Sequence, residues 1–208
     1  MRVMPIITIS ATYGAGGSRI APAVAARLGL AFHDRLIHAG DKPTVESLTE
    51  RLTDEQRQQQ PPGRLLASLP RMTAALGLPS PTIEDLDSTL SLRERVVTGV
   101  NAIAETGSAV VLGRAAAVIL AGHPSALHVR LMGPLDARIA QGLSIEGGTV
   151  EDAKKHQAET DRAWSRFVTR LFDRDPADPS LYHLLLDSTA LPLETCVEMI
   201  ALAAAARG

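Results

Sequence analysis

Five consecutive residues near the N-terminus have the composition of a loop that wraps around an anion. The segment reads Gly-Ala-Gly-Gly-Ser and follows an apolar run at residues 6–9. Ile20, Val24 and Leu28 then recur every four residues, which is typical of a helix. Glycines let backbone N–H groups turn towards one point, and a helix start adds partial positive charge there. The sequence therefore predicts a strand, a loop and a helix that bind phosphate through Gly14, Ala15, Gly16, Gly17 and Ser18.

The phosphate-loop pattern G-x-x-x-x-G-K-[ST] fits this segment only in part. With Gly16 at the second glycine, Ala11 stands in place of the first glycine and Gly17 in place of the lysine. Ser18 stands at the hydroxyl position that contacts Mg²⁺. Arg19 is the nearest cation that could take over the charge of the lysine. On these residues alone, the pattern also fits a glycine turn that lets a helix pack closely against a strand.

Several arginines follow predicted strands or lie on helices that flank loops. Phosphoryl transfer requires cradled phosphates, Mg²⁺ and cations that neutralise the transferred group. Asp34 and Arg35 follow a brief strand, and Arg114 follows an apolar strand. The other arginines that could converge on the same crevice are Arg19, Arg138, Arg162 and Arg166. Solvated charge on a polar helix face is an alternative explanation for Arg162 and Arg166.

Apolar runs alternate with helical patterns along the whole chain. The runs predict strands at residues 6–9, 30–33, 109–112, 126–132 and 181–186. This alternation predicts an α/β fold with a parallel, doubly wound sheet of about five strands flanked by helices. Prolines and polar residues interrupt the pattern between about residues 40 and 90, where we expect a mobile, mostly helical insert.

Composition limits the classes of function. The 208 residues, 45% of them hydrophobic, suit a single domain spanning 1–208. A net charge of -2 gives no reason to expect binding to nucleic acid or to a membrane surface. The lone Cys196 excludes a disulfide within the chain, and no run is long and apolar enough to export or anchor it. We therefore expect a cytoplasmic protein, with a homo-oligomer left open.

Several segments, in order along the chain, resemble the cytidylate kinase-like family, which is part of the nucleoside monophosphate kinase group of P-loop kinases. The first match is the run from Ile7 to Arg35, which includes the glycine loop, residues 25–29 and a final Phe-His-Asp-Arg. The later matches are residues 110–116, residues 127–138 and residues 184–194. Together they cover nearly all of the chain except the Gln/Pro-rich insert.

The resemblance implies an ATP-dependent phosphotransferase that acts on a nucleoside monophosphate, CMP-like, or on a similar small phosphorylated acceptor. It implies an acceptor-binding insert at residues 38–90, a lid at residues 133–178, and Mg²⁺ near Ser18. Asp34, Arg35 and Arg114 would hold the acceptor. The catalytic cations would be Arg19, Arg138, Arg162 and Arg166.

Three positions depart from the family pattern. Gly17 replaces the loop lysine, Ala115 replaces an aspartate that grips the acceptor, and Trp164 replaces a lid arginine. These departures motivate an alternative: a nucleotide-binding regulatory or scaffold protein with a kinase fold and little or no phosphotransfer. A DNA-binding protein is not favoured, because the chain is slightly acidic and lacks a recognition module.

Overall fold

A five-stranded parallel sheet forms the centre of the molecule. The structure is a computed structural model, and it describes residues 5–36, 47–52, 54 and 83–207. The strands are Ile6–Ala11 (β1), Ala31–His33 (β2), Ala109–Leu112 (β3), Ala126–Met132 (β4) and Leu184–Asp187 (β5). They are hydrogen-bonded in the order β2-β3-β1-β4-β5, and every neighbouring pair is parallel. The predicted sheet is confirmed.

Six labelled helices connect and cover the strands. They are Gly17–Leu28 (α1), Ile83–Glu105 (α2), Ala116–Ile119 (α3), Leu135–Glu146 (α4), Val150–Phe172 (α5) and Leu193–Arg207 (α6). Helix α1 ends where Gly29 adopts a left-handed conformation with φ 66°. Helix α5 begins where the Thr149 hydroxyl accepts the backbone N–H of Asp152.

The two faces of the sheet pack against different helices, because side chains alternate along a strand. Ile6 of β1 belongs to a core that includes residues of α2 and α5. Ile7 and Ile9 point the other way, into a core shared with α1 and α6. Helices therefore cover both faces, as a parallel sheet requires.

Two boundaries differ from the sequence-based expectation by three residues or more. Strand β5 begins at Leu184 and not at residue 181, because Pro179–Leu181 forms a 3₁₀ turn. The Asp178 carboxylate caps this turn by accepting the backbone N–H of Ser180. Helix α2 begins at Ile83, inside the predicted insert of residues 38–90. Of that insert, residues 47–52 are helical with Leu48 and Leu52 buried in the core, and residues 37–46, 53 and 55–82 lie outside the described part.

The predicted lid region, residues 133–178, contains two long helices in close succession. Only Gly147, Gly148 and Thr149 separate α4 from α5. Both glycines have positive φ, 75° and 92°, which allows the chain to reverse within so short a link. Among the described helices, none is long and apolar enough to cross a membrane.

Candidate functional site

The loop between β1 and α1 has the geometry of an anion-binding turn. Gly14 and Gly16 have left-handed φ values of 74° and 71°. The backbone N–H of Ala15 donates to the carbonyl of Thr12 across 3.1 Å and closes the turn. Gly16 is the N-cap of α1, and no side chain caps this helix end. The first N–H groups of α1 therefore remain available to an anion.

A cavity of about 370 Å³ opens in front of this loop. Thr12 and the loop residues Gly14, Gly16, Gly17 and Ser18 form one wall. The cavity is also lined by Asp34, Arg35, Glu146 and His156. Ala15 lies beneath the loop with 0% of its surface exposed. The structure thus brings the predicted phosphate loop together with two of the three predicted acceptor residues.

Arg114, the third of those residues, does not line this cavity. Its side chain is buried, and its Nε donates to the carbonyl of Asp34. Gly113 lets the chain after β2 pass close by, since a Cβ on Gly113 would lie 3.3 Å from the Cβ of Arg35. Arg114 therefore positions the backbone that carries Asp34 and Arg35.

The Arg35 side chain enters the cavity wall with only 20% of its surface exposed. Burial lowers the pKa of its guanidinium, while the nearby carboxylates of Asp34 and Glu146 oppose that effect. Arginine nonetheless stays protonated at neutral pH. The site therefore holds a largely desolvated positive charge beside the glycine loop.

The back of the loop is tied to helices α4 and α5 by a half-buried polar cluster. Asp161 of α5 accepts the backbone N–H of Tyr13 across 2.8 Å. Arg138 of α4 donates from Nη1 both to the Tyr13 carbonyl and to Asp161 Oδ2, each across 2.9 Å. Gln141 donates to the carbonyl of Gly14 across 2.9 Å. These bonds fix the backbone conformation of the loop at its first turn.

Arg138 was predicted to be a catalytic cation, and the structure places it in this cluster. Its side chain is 9% exposed, and its Nε also donates to the carbonyl of Gly133. A guanidinium engaged with two carbonyls and a carboxylate is held in one orientation. In this geometry Arg138 is a positioning residue for the loop.

Tyr13 connects the same cluster to the cavity. Its hydroxyl donates to Glu146 Oε2 across 3.1 Å. Burial, with the charge and hydrogen bond of Glu146, raises the pKa of Tyr13 to about 12. Its ring packs against Gly142 of α4, where a Cβ would lie 2.8 Å from the ring. The phenol is therefore a protonated donor at neutral pH.

Three predicted catalytic arginines are not brought to the cavity. Arg19, Arg162 and Arg166 are all exposed, and none lines it. On α5 the buried face includes Thr160 and Val168, and a rotation of about 100° per residue turns Arg162 and Arg166 away from that face. Their predicted role has no support in this arrangement.

The residues in the cavity fit a magnesium-bound phosphate. Ser18 lines this space, and its hydroxyl is an oxygen ligand of the kind that Mg²⁺ prefers. Thr12 Oγ1 is buried there and lacks a hydrogen-bond partner within the described chain. No group of three or more His, Cys, Asp or Glu among the described residues could hold a metal. A cation here would therefore share its coordination with phosphate oxygens.

The polar cluster on α4 and α5 was not predicted from the sequence; it comprises Asp161, Gln141, Gln157 and Glu146. A signal for Asp161 was present. The Asp161 carboxylate lies on the same side of α5 as the buried Thr160 and Val168. Because a charge next to a buried face is costly unless it is paired, this position of Asp161 indicates hydrogen-bond or ionic partners.

The strand order and the glycine loop after the central strand define a P-loop kinase fold. The model of the cytidylate kinase-like family matches residues 6–190, and the chain belongs to that family. A curated cytidylate kinase from Methanopyrus kandleri is 29% identical over 113 residues. That match covers 50% of this chain and 55% of the relative, about half of each.

Two solved structures share the fold. An uncharacterized protein from Eubacterium ventriosum superposes with a TM-score of 0.64 at 16% identity, over 96% of this chain and 98% of the other. A gluconokinase from Sinorhizobium meliloti gives a TM-score of 0.50 at 16% identity, over 100% and 94% of the two chains. At such low identity these similarities concern the fold alone.

Proposed function

We propose that this chain is an ATP-dependent phosphotransferase that acts on a nucleoside monophosphate or a similar small phosphate-bearing acceptor. The observation that carries the proposal is the uncapped N-terminus of α1, which opens with its glycine loop into a cavity faced by Asp34 and Arg35. Family membership supports the kinase class. The name of the Methanopyrus kandleri relative supports a CMP-like acceptor.

The proposed roles follow from position. Backbone amides from Gly14 to Ser18 hold phosphates of the donor nucleotide, and Ser18 with phosphate oxygens holds Mg²⁺. When bound, Mg²⁺ neutralises charge on the phosphates. Asp34 lines the cavity, where its carboxylate is proposed to orient an acceptor. Arg114 holds the Asp34 backbone, and the Arg138–Asp161 pair holds the loop.

The first experiment measures binding and turnover separately. Calorimetry with ATP, with and without Mg²⁺, reports the donor site, and a coupled assay reports turnover on CMP, UMP, AMP and GMP. We expect Mg²⁺-dependent ATP binding and turnover on at least one of these acceptors. Absence of ATP binding would contradict the proposal. Binding without turnover on any acceptor would support the regulatory or scaffold alternative.

An acceptor role for the Asp34 carboxylate can be tested with Asp34→Asn. We expect a raised KM for the acceptor and little change in ATP affinity, because the substitution removes a charge and keeps the shape. An unchanged KM for every acceptor would remove Asp34 from the proposed site.

A further inference from the structure

The conformation of Gly17 does not require a glycine. Its φ is not positive, unlike those of Gly14 and Gly16. Space excludes a side chain instead, since a Cβ on Gly17 would lie 2.6 Å from the Cβ of Ala11. Ala11 stands where the phosphate-loop pattern has its first glycine, and Gly17 stands where it has lysine. Position 11 therefore carries a methyl group that the pattern does not have, and position 17 lacks the lysine that the pattern does have.

The guanidinium of Arg35 lies at the place left open by the lysine. Its Nη2 would be 3.2 Å from a Cβ on Gly17, so it stands where a lysine stem would begin. Arg35 reaches this point from the end of β2, and its side chain lines the same cavity as Gly16, Gly17 and Ser18. Arg35 thus supplies a cation next to the loop, from the segment that follows β2.

We propose that Arg35 is the catalytic replacement for the missing loop lysine, contacting the terminal phosphates of the donor nucleotide. This inference rests on the proposed function and changes the role that the sequence suggested for Arg35, from acceptor to donor. The planar guanidinium can contact two phosphate oxygens at once, which suits the task of a lysine that follows the β and γ phosphates.

Arg19, the replacement that the sequence suggested, is less well placed. Its side chain is exposed and is not part of the cavity wall, whereas Arg35 is largely buried in that wall. The Asp34 carboxylate lies 3.7 Å from Arg35 Nε, which leaves the Nη2 end directed at the loop. Geometry and charge both favour Arg35.

The donor role and the acceptor role give different binding profiles. A cation that contacts the β and γ phosphates contributes to ATP and less to AMP, which has neither phosphate. A cation that holds the acceptor contributes to CMP binding. Calorimetry of Arg35→Gln with Mg²⁺-ATP, AMP and CMP therefore separates the two. Arg27→Gln is a matched control, because Arg27 is exposed in the last turn of α1 and pairs with Glu198.

We expect Arg35→Gln to weaken ATP binding by about 10- to 100-fold, the size of one lost charge-assisted hydrogen bond or two. AMP and CMP affinities should change by less than about 3-fold, and Arg27→Gln should match the parent chain. Unchanged ATP affinity in a folded Arg35→Gln variant, or a loss confined to CMP, would overturn the inference. A parent chain that does not bind ATP would contradict the proposed function itself. A parent chain that binds ATP as well as Arg35→Gln does would contradict only the role of Arg35.

A rescue experiment tests the geometry directly. Restoring the standard pattern with Ala11→Gly and Gly17→Lys in the Arg35→Gln background should recover ATP affinity to within about 3-fold of the parent chain. Gly17→Lys alone in that background should not recover it, because the Ala11 methyl group still occupies the space. A triple variant that melts like the parent chain and stays at the Arg35→Gln affinity would count against the proposal.

A variant that does not fold is also informative. Arg35→Lys keeps the charge and most of the stem, so we expect it to retain ATP binding within about 10-fold if Arg35→Gln loses its cooperative melting transition. A folded Arg35→Lys variant that binds ATP more than about 100-fold more weakly than the parent chain would overturn the proposal.

Discussion

Asp161 is the residue on which the conformation of the loop depends most. Its carboxylate accepts three hydrogen bonds, from the Tyr13 backbone, from Arg138 and from Gln157. It therefore neutralises a buried guanidinium and satisfies a loop amide with one side chain. This carboxylate acts on the phosphate site through the backbone, without lining the cavity.

Replacing Asp161 should destabilise the whole chain. Asp161→Ala leaves the Arg138 guanidinium and the Tyr13 N–H without their acceptor, which we expect to cost about 1–3 kcal/mol of unfolding free energy. Urea denaturation measures the loss. Glu198→Ala is the control, because its ion pair with Arg27 is exposed and should contribute little. Equal effects of the two substitutions would contradict the assigned role.

Gly14 and Gly29 offer a matched pair of substitutions. Both have left-handed φ, 74° and 66°, so alanine suffers the same backbone strain at each, about 1 kcal/mol. A Cβ on Gly14 would also overlap the carbonyl of Arg138, whereas nothing lies within 4 Å of one on Gly29. We expect Gly14→Ala to cost at least about 2 kcal/mol more than Gly29→Ala and alone to abolish ATP binding. Thermal melting with calorimetry checks both; similar losses would show that the Arg138 contact is unimportant.

At the scale of elements, the close approach of α4 to the loop sets the shape of the site. The Tyr13 ring lies flat against α4 only because Gly142 has no side chain. The three-residue link between α4 and α5 then places Gln157 and Asp161 next to the same loop. Two helices and one loop therefore behave as a single packed unit.

Gly142→Ala should separate α4 from the loop. Its Cβ would lie 2.8 Å from the Tyr13 ring, and we expect a cost of about 1–3 kcal/mol together with weaker nucleotide binding. Gly99→Ala in α2 is the control, because no atom lies within 4 Å of its Cβ position and helix propensity should stabilise it by about 1 kcal/mol. Denaturation of both variants measures whether their changes in unfolding free energy have opposite signs. A stabilising Gly142→Ala would be incompatible with this packing.

The elements themselves were largely predictable, and the site was predictable in part. Apolar runs indicated β3 and β4 at their observed bounds, because burial of a strand imposes a pattern on its sequence. The turn at Pro179–Leu181 and the short α3 leave no such periodic trace. The position of the Arg35 guanidinium depends on how the chain after β2 lies against Gly17 at the start of α1, a contact between distant parts of the sequence that no local pattern encodes.

At the scale of the whole molecule, a buried histidine lies on β4, the strand between the central strand β1 and the edge strand β5. His128 Nδ1 lies 2.8 Å from the Thr8 hydroxyl, and Nε2 lies 3.1 Å from the carbonyl of Leu120. A carbonyl only accepts, so the proton is on Nε2 and Nδ1 accepts from Thr8. His183 stacks on the ring at 4.9 Å. Burial first, and then the charge of His183, lowers the pKa of His128 to about 4.

This histidine predicts a loss of stability in mild acid. Its pKa is lower in the folded chain, so its contribution is complete above the unfolded value near 6.5 and is lost as pH falls through about 4. We expect the unfolding free energy to fall more steeply between pH 6.5 and 4 in the parent chain than in His128→Gln. Urea midpoints across that range check the difference, with His33→Gln on β2 as the control. Parallel pH profiles would refute the assignment.

The contact between positions 11 and 17 also restricts the order in which substitutions can accumulate. A lysine that arises at position 17 meets the Ala11 methyl group, whereas a glycine that arises first at position 11 removes the obstruction. On the proposed role of Arg35, the effect of a substitution at any one of these three positions depends on the other two. Steric overlap therefore requires position 11 to change before position 17 can carry a lysine, and position 35 can lose its cation only after both.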